Sequence, residues 1–378
     1  MSFNPEHKSE HLNIIGSGVL GLTCALEIAK EKGRYTITII TADADSSTWS
    51  PSAPPKIEKV AEDFASPWAG AYWQSFVATR DPKTFNEKRL QDWEKTSFKE
   101  LWKISETDKS IVMVKYLILG VLSPRDVFVE TSQHYSSKPI VTNILMKNLV
   151  TMSYLGTPIC VQRLAKVFAI QLCQMGVRIV HHRLNSLAEA FEGNNTLQIP
   201  RADIVINASG LGAATLLGVE DKSVHPIRGQ LVLVKPPQPI CFSTRDSSRK
   251  TYIISRPSVD PEIDEEVILG GCYQADNFDL SVDPDLTNHI LCEAFQTRPD
   301  LSSDGTLQGI HVLKEVVALR PARKDGARLE VEKVVISGEN KHAVHCYGIG
   351  GAGFQSSYGM AQEALGLIKA LREGRETV

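Results

Sequence analysis

The chain has 378 residues, more than one hydrophobic core usually serves, so we expect two domains. Its composition, with 42% apolar and 22% charged residues, is that of an ordinary folded protein, and the net charge of -3 gives no reason to expect nucleic acid or an anionic membrane as a partner. Seven scattered cysteines without a CxxC pair argue against a zinc site and a disulfide framework. The polar N-terminus and the lack of an apolar run of ~20 residues predict an intracellular protein without a membrane partner.

A Gly-x-Gly-x-x-Gly turn follows the first apolar run of the chain. Residues 12–15 predict a buried strand, and residues 23–30 predict a helix. Gly16 permits a tight turn, Gly18 lets a pyrophosphate approach the backbone, and Gly21 lets the helix lie close to the strand. A phosphate charge would then meet the N–H groups at the start of the helix.

A second apolar run, residues 35–40, follows as a second parallel strand should. Asp43 stands about 20 residues beyond the glycines, where an acid would hold ribose hydroxyls. We interpret the unit as a dinucleotide site. The alternative is a glycine-rich turn without a ligand, with Asp43 as a solvated loop acid.

The middle of the chain predicts helices and short buried strands. Residues 82–103 have the spacing of an amphipathic helix, and a second helix begins with Thr157 as its cap and ends at Gly176. Residues 177–181 and 203–208 predict wholly apolar, buried parallel strands. The second of these strands leads into another close-approach turn at Ser209, so the nucleotide-binding half resumes here after an insertion of about 100 residues.

The pattern changes to short strands beyond residue 230, which predicts a mixed sheet. A last strand, residues 342–347, leads into a second glycine loop and a helix over residues 354–371. The predicted strands of the mixed sheet are 230–234, 252–255, 267–271 and 313–319, interrupted by a helix over 284–296.

Several motifs, in this order and over nearly the whole chain, resemble the D-amino-acid oxidase and D-aspartate oxidase family. The resemblance implies noncovalent FAD, oxidation of a D-amino acid to the imino acid, and reoxidation by O2 to give H2O2. It implies an α/β fold, with a Rossmann-type FAD-binding domain over 1–60, 157–225 and 305–378 and an inserted mixed-sheet (α+β) substrate domain over 61–156 and 226–304. The motifs are Gly16-Ser17-Gly18-Val19-Leu20-Gly21, Ser66-Pro67-Trp68-Ala69-Gly70, Ile227-Arg228-Gly229-Gln230, Gly270-Gly271-Cys272-Tyr273, Leu319-Arg320-Pro321-Ala322-Arg323 and Gly350-Gly351-Ala352-Gly353-Phe354-Gln355.

The resemblance also implies roles for particular residues. Arg320 matches the arginine that binds the substrate α-carboxylate, Tyr252 a tyrosine beside it, and Tyr273 a second tyrosine used in microbial members. From the residues alone, Arg320 is equally a strand-end ion pair and the tyrosines half-buried sheet residues. No side chain is expected to act as an acid or base, because hydride transfer needs mainly orientation. The expected cofactor contacts are Gly16, Gly18, Gly21, Asp43, Ser66, Gly70, Ser209, Gly350, Gly351, Gly353, Phe354 and Gln355.

Substrate preference depends on Arg245, seven residues before Tyr252. D-aspartate oxidases resemble the chain here, with an arginine for the second carboxylate, so we expect D-aspartate and, less well, D-glutamate as substrates. A solvated loop arginine is the alternative, and it would favour neutral D-amino acids. Tyr72 departs from the His or Asn of acid-specific relatives. A non-catalytic flavin module and an NAD dehydrogenase are the alternatives from other classes.

Location and assembly are predicted by resemblance alone. Relatives usually reside in peroxisomes, but the chain ends in Glu376-Thr377-Val378 rather than a Ser-Lys-Leu-type tripeptide, so a cytoplasmic location stays open. We expect a homo-oligomer.

Overall fold

Two six-stranded sheets organise the protein. The structure, a computed structural model, describes residues 9–42, 65–70, 84–107, 116–117, 154–155, 161–238, 243–246, 251–256 and 266–375. The strands are β1 (Glu10–Ile15), β2 (Tyr35–Thr41), β3 (Tyr116–Leu117), β4 (Tyr154–Leu155), β5 (Arg178–His181), β6 (Ile204–Asn207), β7 (Val224–Lys235), β8 (Ser243–Asp246), β9 (Thr251–Arg256), β10 (Glu266–Gly270), β11 (Gln274–Ala275), β12 (His311–Arg323), β13 (Arg328–Ile336) and β14 (Glu339–Tyr347). The helices are α1 (Val19–Ala29), α2 (Phe85–Thr107), α3 (Val161–Gln174), α4 (Leu187–Glu192), α5 (Pro284–Thr297) and α6 (Gly353–Arg372).

The first sheet has the strand order β13-β14-β6-β1-β2-β5. Its strands run parallel except β13, which forms an antiparallel hairpin with β14. The central strands are apolar because helices cover both faces: α1 and α6 pack on one, and α4 packs on the other. Every residue of β6 is buried. The predicted buried strand at 12–15 is confirmed, and β6 confirms the one at 203–208 except for Asp203, which is exposed and precedes β6.

The prediction of a wholly buried strand at 177–181 is wrong. β5 pairs with β2 at the edge of the first sheet. Ile179 is buried, whereas Arg178 and His181 are exposed. An edge strand has a side open to solvent, so it tolerates charged residues that an inner strand of a parallel sheet does not.

The second sheet is built around the long antiparallel pair β7 and β12. Residues 224–235 face residues 311–323 in register along almost their whole length, and β10, β9 and β8 extend the sheet on the other side of β7. Helix α5 packs Ile290 and Ala294 against this sheet. The predicted boundary at residue 305 does not follow this pairing, because β12 lies in the second sheet with residues 226–304. The division into two domains stays a prediction.

The four predicted helices can be compared with the structure. The predicted helices at 82–103, 284–296 and 354–371 correspond to α2, α5 and α6, and the described part of the helix predicted from Thr157 is α3. The sequence analysis did not include the short helix α4 or the strand β13. Among the described residues, no helix is both long and apolar enough to cross a membrane.

Helices α2 and α6 cross where Gly359 lies against the backbone of Trp93. A Cβ added at Gly359 would overlap Trp93, so only glycine permits this close approach. Gly366, further along α6, is exposed, and a Cβ added there would meet no atom within 4 Å.

We therefore expect opposite effects from the same substitution at two positions of one helix. Gly359→Ala should lower the free energy of unfolding by about 1–3 kcal/mol, because the methyl group overpacks the contact with α2. Gly366→Ala, the matched control, should raise it by about 0.5–1 kcal/mol, because alanine restricts the unfolded chain. Urea denaturation measures both. Equal effects at the two positions would contradict the packing shown at Gly359.

Candidate functional site

A cavity of about 1260 Å³ opens where the two sheets meet. The carboxyl ends of β1, β6 and β14 reach it from the first sheet, and β7, β9 and β12 line it from the second. Parallel α/β sheets bind ligands at the carboxyl ends of their strands. The residues of the predicted site that line this cavity are Gly16, Gly18, Ser66, Gly70, Ser209, Tyr252, Tyr273, Arg320, Gly350, Gly351, Gly353, Phe354 and Gln355.

The first glycine turn is closely packed. Gly16 has a φ of +98°, and a Cβ added there would lie 2.6 Å from the carbonyl oxygen of Ala208. A Cβ at Gly21 would overlap the carbonyl oxygen of Gly16. Gly18 is the N-cap of α1, which has no capping side chain and no acidic residue in its first turn. The positive end of this helix therefore faces the cavity without a negative charge from its own first turn.

Ser66 and Ser209 approach the same turn from two other segments. The Val19 N–H, the first of α1, donates to Ser66 Oγ at 3.3 Å. Ser209 Oγ is buried beside the cavity and has no hydrogen-bond partner within the described chain. Buried hydroxyls are normally hydrogen-bonded, so this one indicates a polar ligand.

Asp43 lies outside the described residues. The strand that precedes it, β2, ends at Thr41, whose hydroxyl makes a 2.8 Å hydrogen bond with Ser17 Oγ. The role of Asp43 stays a prediction.

Gly70 is described, and a Cβ added there would lie 2.5 Å from Ile254 Cδ1 on β9.

The second glycine turn meets the first. A Cβ at Gly353, where α6 begins, would lie 3.3 Å from Val19 Cγ1. Gly350 has a φ of +63°, and a Cβ at Gly351 would lie 3.9 Å from Arg320 Cδ. Phe354 packs in the core, and Gln355 Nε2 donates to Glu94 Oε1 at 2.8 Å. Like α1, helix α6 presents an N-terminus without an acidic first turn.

Arg320 extends from β12 across a glycine of the neighbouring strand. A Cβ at Gly229 would overlap the guanidinium group of Arg320, so glycine makes the room that this side chain occupies. Arg320 Nη1 donates to the carbonyl oxygen of Cys272 at 3.3 Å. Within the described part of the chain, no carboxylate forms an ion pair with Arg320. The strand-end ion pair considered from the sequence is therefore not found there.

The tyrosines lie on the same sheet. The ring of Tyr252 on β9 covers Gly270, where a Cβ would overlap it. Tyr273 is 63% exposed and lies at the rim of the cavity. Arg245 on β8 is the cross-strand partner of Tyr252, and the structure describes its backbone position only. Arg320 and Tyr252 are thus brought together at one cavity wall.

Comparison with known proteins agrees with this geometry. The family described as FAD dependent oxidoreductase (DAO) matches residues 153–366. A D-amino-acid oxidase of Schizosaccharomyces pombe is 30% identical over 372 residues, which cover 95% of this chain and 96% of that protein. A D-amino-acid oxidase of Fusarium vanettenii is 28% identical over 377 residues, which cover 95% and 97%.

The chain belongs to the DAO family of FAD-dependent oxidoreductases. Solved structures of similar fold include glycine oxidase from Geobacillus kaustophilus, with a TM-score of 0.63 at 16% identity, covering 98% of this chain and 96% of that one. L-proline dehydrogenase from P. horikoshii has a TM-score of 0.59 at 15% identity, covering 98% and 95%. These likenesses confirm the predicted fold class.

The residues of this FAD-dependent oxidoreductase fit its cofactor. The N-terminus of α1, whose N-cap Gly18 has no side chain, suits a pyrophosphate beside Ser66, and the unpartnered hydroxyl of Ser209 suits a polar group next to it. The uncapped N-terminus of α6 suits an electron-rich carbonyl group of a flavin ring. Both helix ends lie on the lining of this one cavity.

The sequence analysis did not identify the residues that make room for the Arg320 side chain or bind it. Gly229 and the Cys272 carbonyl group both contact Arg320. The motif that contains Gly229 could have indicated this contact, since a glycine inside a strand often marks a place where another group approaches the backbone closely. Trp68 lines the cavity and also packs against the second sheet.

A buried histidine supports the Ser209 turn in this oxidoreductase. The Ser209 N–H donates to Asn207 Oδ1 at 3.2 Å, so the Asn207 amide group donates to His345 Nδ1, also at 3.2 Å. His345 Nε2 then carries the proton and faces Glu332 Oε2 at 2.9 Å. Burial, and secondly the Arg328 guanidinium, lower the pKa of His345 to about 4.

Acid should destabilise the protein through His345. The unfolded histidine binds a proton near pH 6.5 and the folded one only near pH 4, so the stability contributed by the neutral form is complete above pH 6.5 and declines as the pH falls towards 4. Between pH 7 and 4, the wild type should lose about 3 kcal/mol more of its free energy of unfolding than His345→Gln. Urea denaturation across this range measures the difference. Parallel curves for wild type and His345→Gln would contradict the expectation.

Proposed function

We propose that this chain oxidises D-amino acids with FAD and O2 and prefers acidic ones, D-aspartate before D-glutamate. The observation that carries the proposal is the Arg320 guanidinium group. It lies at a cavity wall beside Tyr252 and the second glycine turn, with no carboxylate ion pair among the described residues. A partly buried guanidinium group of this kind suits an anionic ligand. The D-amino-acid oxidases of Schizosaccharomyces pombe and Fusarium vanettenii, similar over 95% of the chain, support the same substrate class.

We assign the cofactor contacts to the two helix ends. The first glycine turn, with Gly16, Gly18 and Gly21, would hold the pyrophosphate together with Ser66 and Ser209. The second turn, with Gly350, Gly351 and Gly353, would face the flavin ring, with backbone of Phe354 and Gln355 behind it. Asp43 would bind the ribose and Gly70 would pass close to the ring. Bound FAD would supply the acceptor for the hydride from Cα, and its reduced form would be reoxidised by O2, which becomes H2O2.

The protein residues mainly orient the substrate. Arg320 binds the α-carboxylate through two parallel N–H groups, and the Tyr252 hydroxyl group adds a donor from the adjoining wall. Tyr273 would contribute a further hydroxyl group from the rim. With the substrate amine neutral, no side chain needs to remove a proton from Cα. The imino acid that leaves the site hydrolyses to a 2-oxo acid and ammonia.

The preference for acidic substrates rests on Arg245. Its backbone position on β8 is opposite Tyr252, next to the proposed substrate wall. A second carboxylate buried near the flavin without a cation would cost several kcal/mol, and Arg245 would supply that cation. Neutral D-amino acids are the second candidate, because the similar proteins are named D-amino-acid oxidases with no statement of an acidic preference. A homo-oligomer and a peroxisomal location stay predictions from resemblance.

The cofactor assignment predicts one noncovalent FAD for each chain. Acid precipitation should release all of the flavin into the supernatant, where its absorbance measures it. Gly18→Val should prevent FAD binding, because the side chain occupies the path of the pyrophosphate at the N-cap of α1. Gly366→Ala serves as the control that retains flavin. Flavin that remains with the precipitated chain would contradict noncovalent binding.

The substrate assignment predicts different effects for two arginines. Arg245→Met should lower kcat/KM for D-aspartate by two to four decades, corresponding to about 3–5 kcal/mol, and spare D-alanine. Arg320→Met should impair all D-amino acids alike. Peroxide production across a panel of D- and L-amino acids measures both, with the exposed Arg201→Met as the control for loss of one positive charge. If the wild type prefers D-alanine to D-aspartate, the neutral candidate is correct.

A further inference from the structure

Arg228 is the largest fully buried side chain of the described chain, with 2% of its surface exposed. It lies on β7, directly opposite Leu319, so its side chain lies on the other face of the sheet from that of Arg320. A buried guanidinium group normally has a carboxylate partner. The hydrogen bonds of the described residues give Arg228 no carboxylate in direct contact, and the nearby Asp279 carboxylate interacts with it through its charge alone.

Its donors instead hold one segment of chain, residues 272–283, against β7. Nε donates to the Asp279 carbonyl oxygen at 2.7 Å, and Nη2 donates to the Ser281 carbonyl oxygen at 2.6 Å. Nη1 donates to Gln274 Oε1 at 3.1 Å and to Cys272 Sγ at 3.8 Å. These contacts, and a 3.0 Å bond to Gln230 Oε1, fix the segment at several points.

Gln230, two residues further along β7, fastens the far end of the same segment. Its Oε1 accepts from the Asp283 N–H at 2.9 Å, and its Nε2 donates to the Asp283 carbonyl oxygen at 2.8 Å. Strand β11 in this segment pairs with β7 at Arg228 and Ile227. The segment therefore depends on Arg228 at its beginning and middle and on Gln230 at its end.

The beginning of this segment contacts the proposed substrate site. The carbonyl oxygen of Cys272 accepts from Arg320 Nη1, and Tyr273 lies at the cavity rim. The Cys272 thiol also accepts from the Gln230 N–H at 3.1 Å. Cys272 is thus held by β7 through its side chain and holds Arg320 through its carbonyl group.

We propose that Arg228 is a positioning residue for carboxylate binding: it fixes the Cys272 segment that orients Arg320. The inference rests on the proposed function, because Arg320 is the group it positions. Arg228 does not touch the substrate, so its effect should appear in substrate affinity rather than in the hydride-transfer step.

The experiment measures carboxylate binding to the flavin-containing protein without requiring turnover. Propionate carries a carboxylate without an amine, and its binding is followed by the change in the flavin absorption spectrum. Arg228→Lys keeps the charge and loses the forked donors, and should raise the Kd of propionate about tenfold. Arg228→Met loses both and should raise it further, by about a hundredfold. Arg298→Met, a charge change at an ion pair with Asp300 outside the cavity, should leave the Kd unchanged.

A split between kinetic constants separates positioning from general loss of structure. Both variants should keep FAD, and with the best D-amino acid KM should rise in proportion to the propionate Kd while kcat stays within about threefold of the wild type. If Arg228→Met does not fold, Arg228→Lys alone decides. A propionate Kd within twofold of the wild type in folded, flavin-containing Arg228→Lys would overturn the inference. If the wild type binds propionate but oxidises no D-amino acid, the proposed function fails while the propionate series still tests Arg228.

Discussion

The contact between Gly16 and the Ala208 carbonyl group fixes how closely the ends of β1 and β6 approach each other, and the cavity depends on that distance. A side chain at Gly16 would push the two strand ends apart. A side chain at Gly21 would likewise push the first helix away from the turn. Gly353 lets the second glycine turn approach Val19. The two helix N-termini therefore face one cavity because small residues, rather than long side chains, separate the elements that carry them.

Small residues also shape the wall that the second sheet contributes to the cavity, where they make room for side chains. Gly229 and Gly270 leave space above two neighbouring strands, and Arg320 and Tyr252 occupy it. The first sheet thus offers backbone N–H groups, which suit phosphate and flavin oxygens, and the second offers side chains, which suit a small carboxylate. Buried polar groups support both walls. His345 supports the Ser209 turn through Asn207, and Arg228 supports the Cys272 segment.

The sequence was sufficient to predict those parts of the fold that depend on local pattern. The glycine turn after an apolar strand, the buried run at 203–208 and the last strand–turn–helix unit each contain their own signal, and the motifs located Arg320 and Tyr252. The edge position of β5 was not predictable in this way, because it depends on which strands pair rather than on composition. Arg228 and His345 were missed as supporting residues for a related reason: their partners lie far away in sequence, and a buried charge has no local pattern.

The antiparallel pair β7 and β12 has a consequence for how the protein folds. Residue 235 must meet residue 311, and residue 224 must meet residue 323, before the strand that carries Arg320 has a partner. Such non-local pairing requires closing a long loop of chain, which makes it slow relative to helix formation. The same strand then touches the second glycine turn through Ala322 and Ile349. Local helices can therefore form early, but the wall that bears Arg320 and the turn beside it are assembled together in a late step of folding.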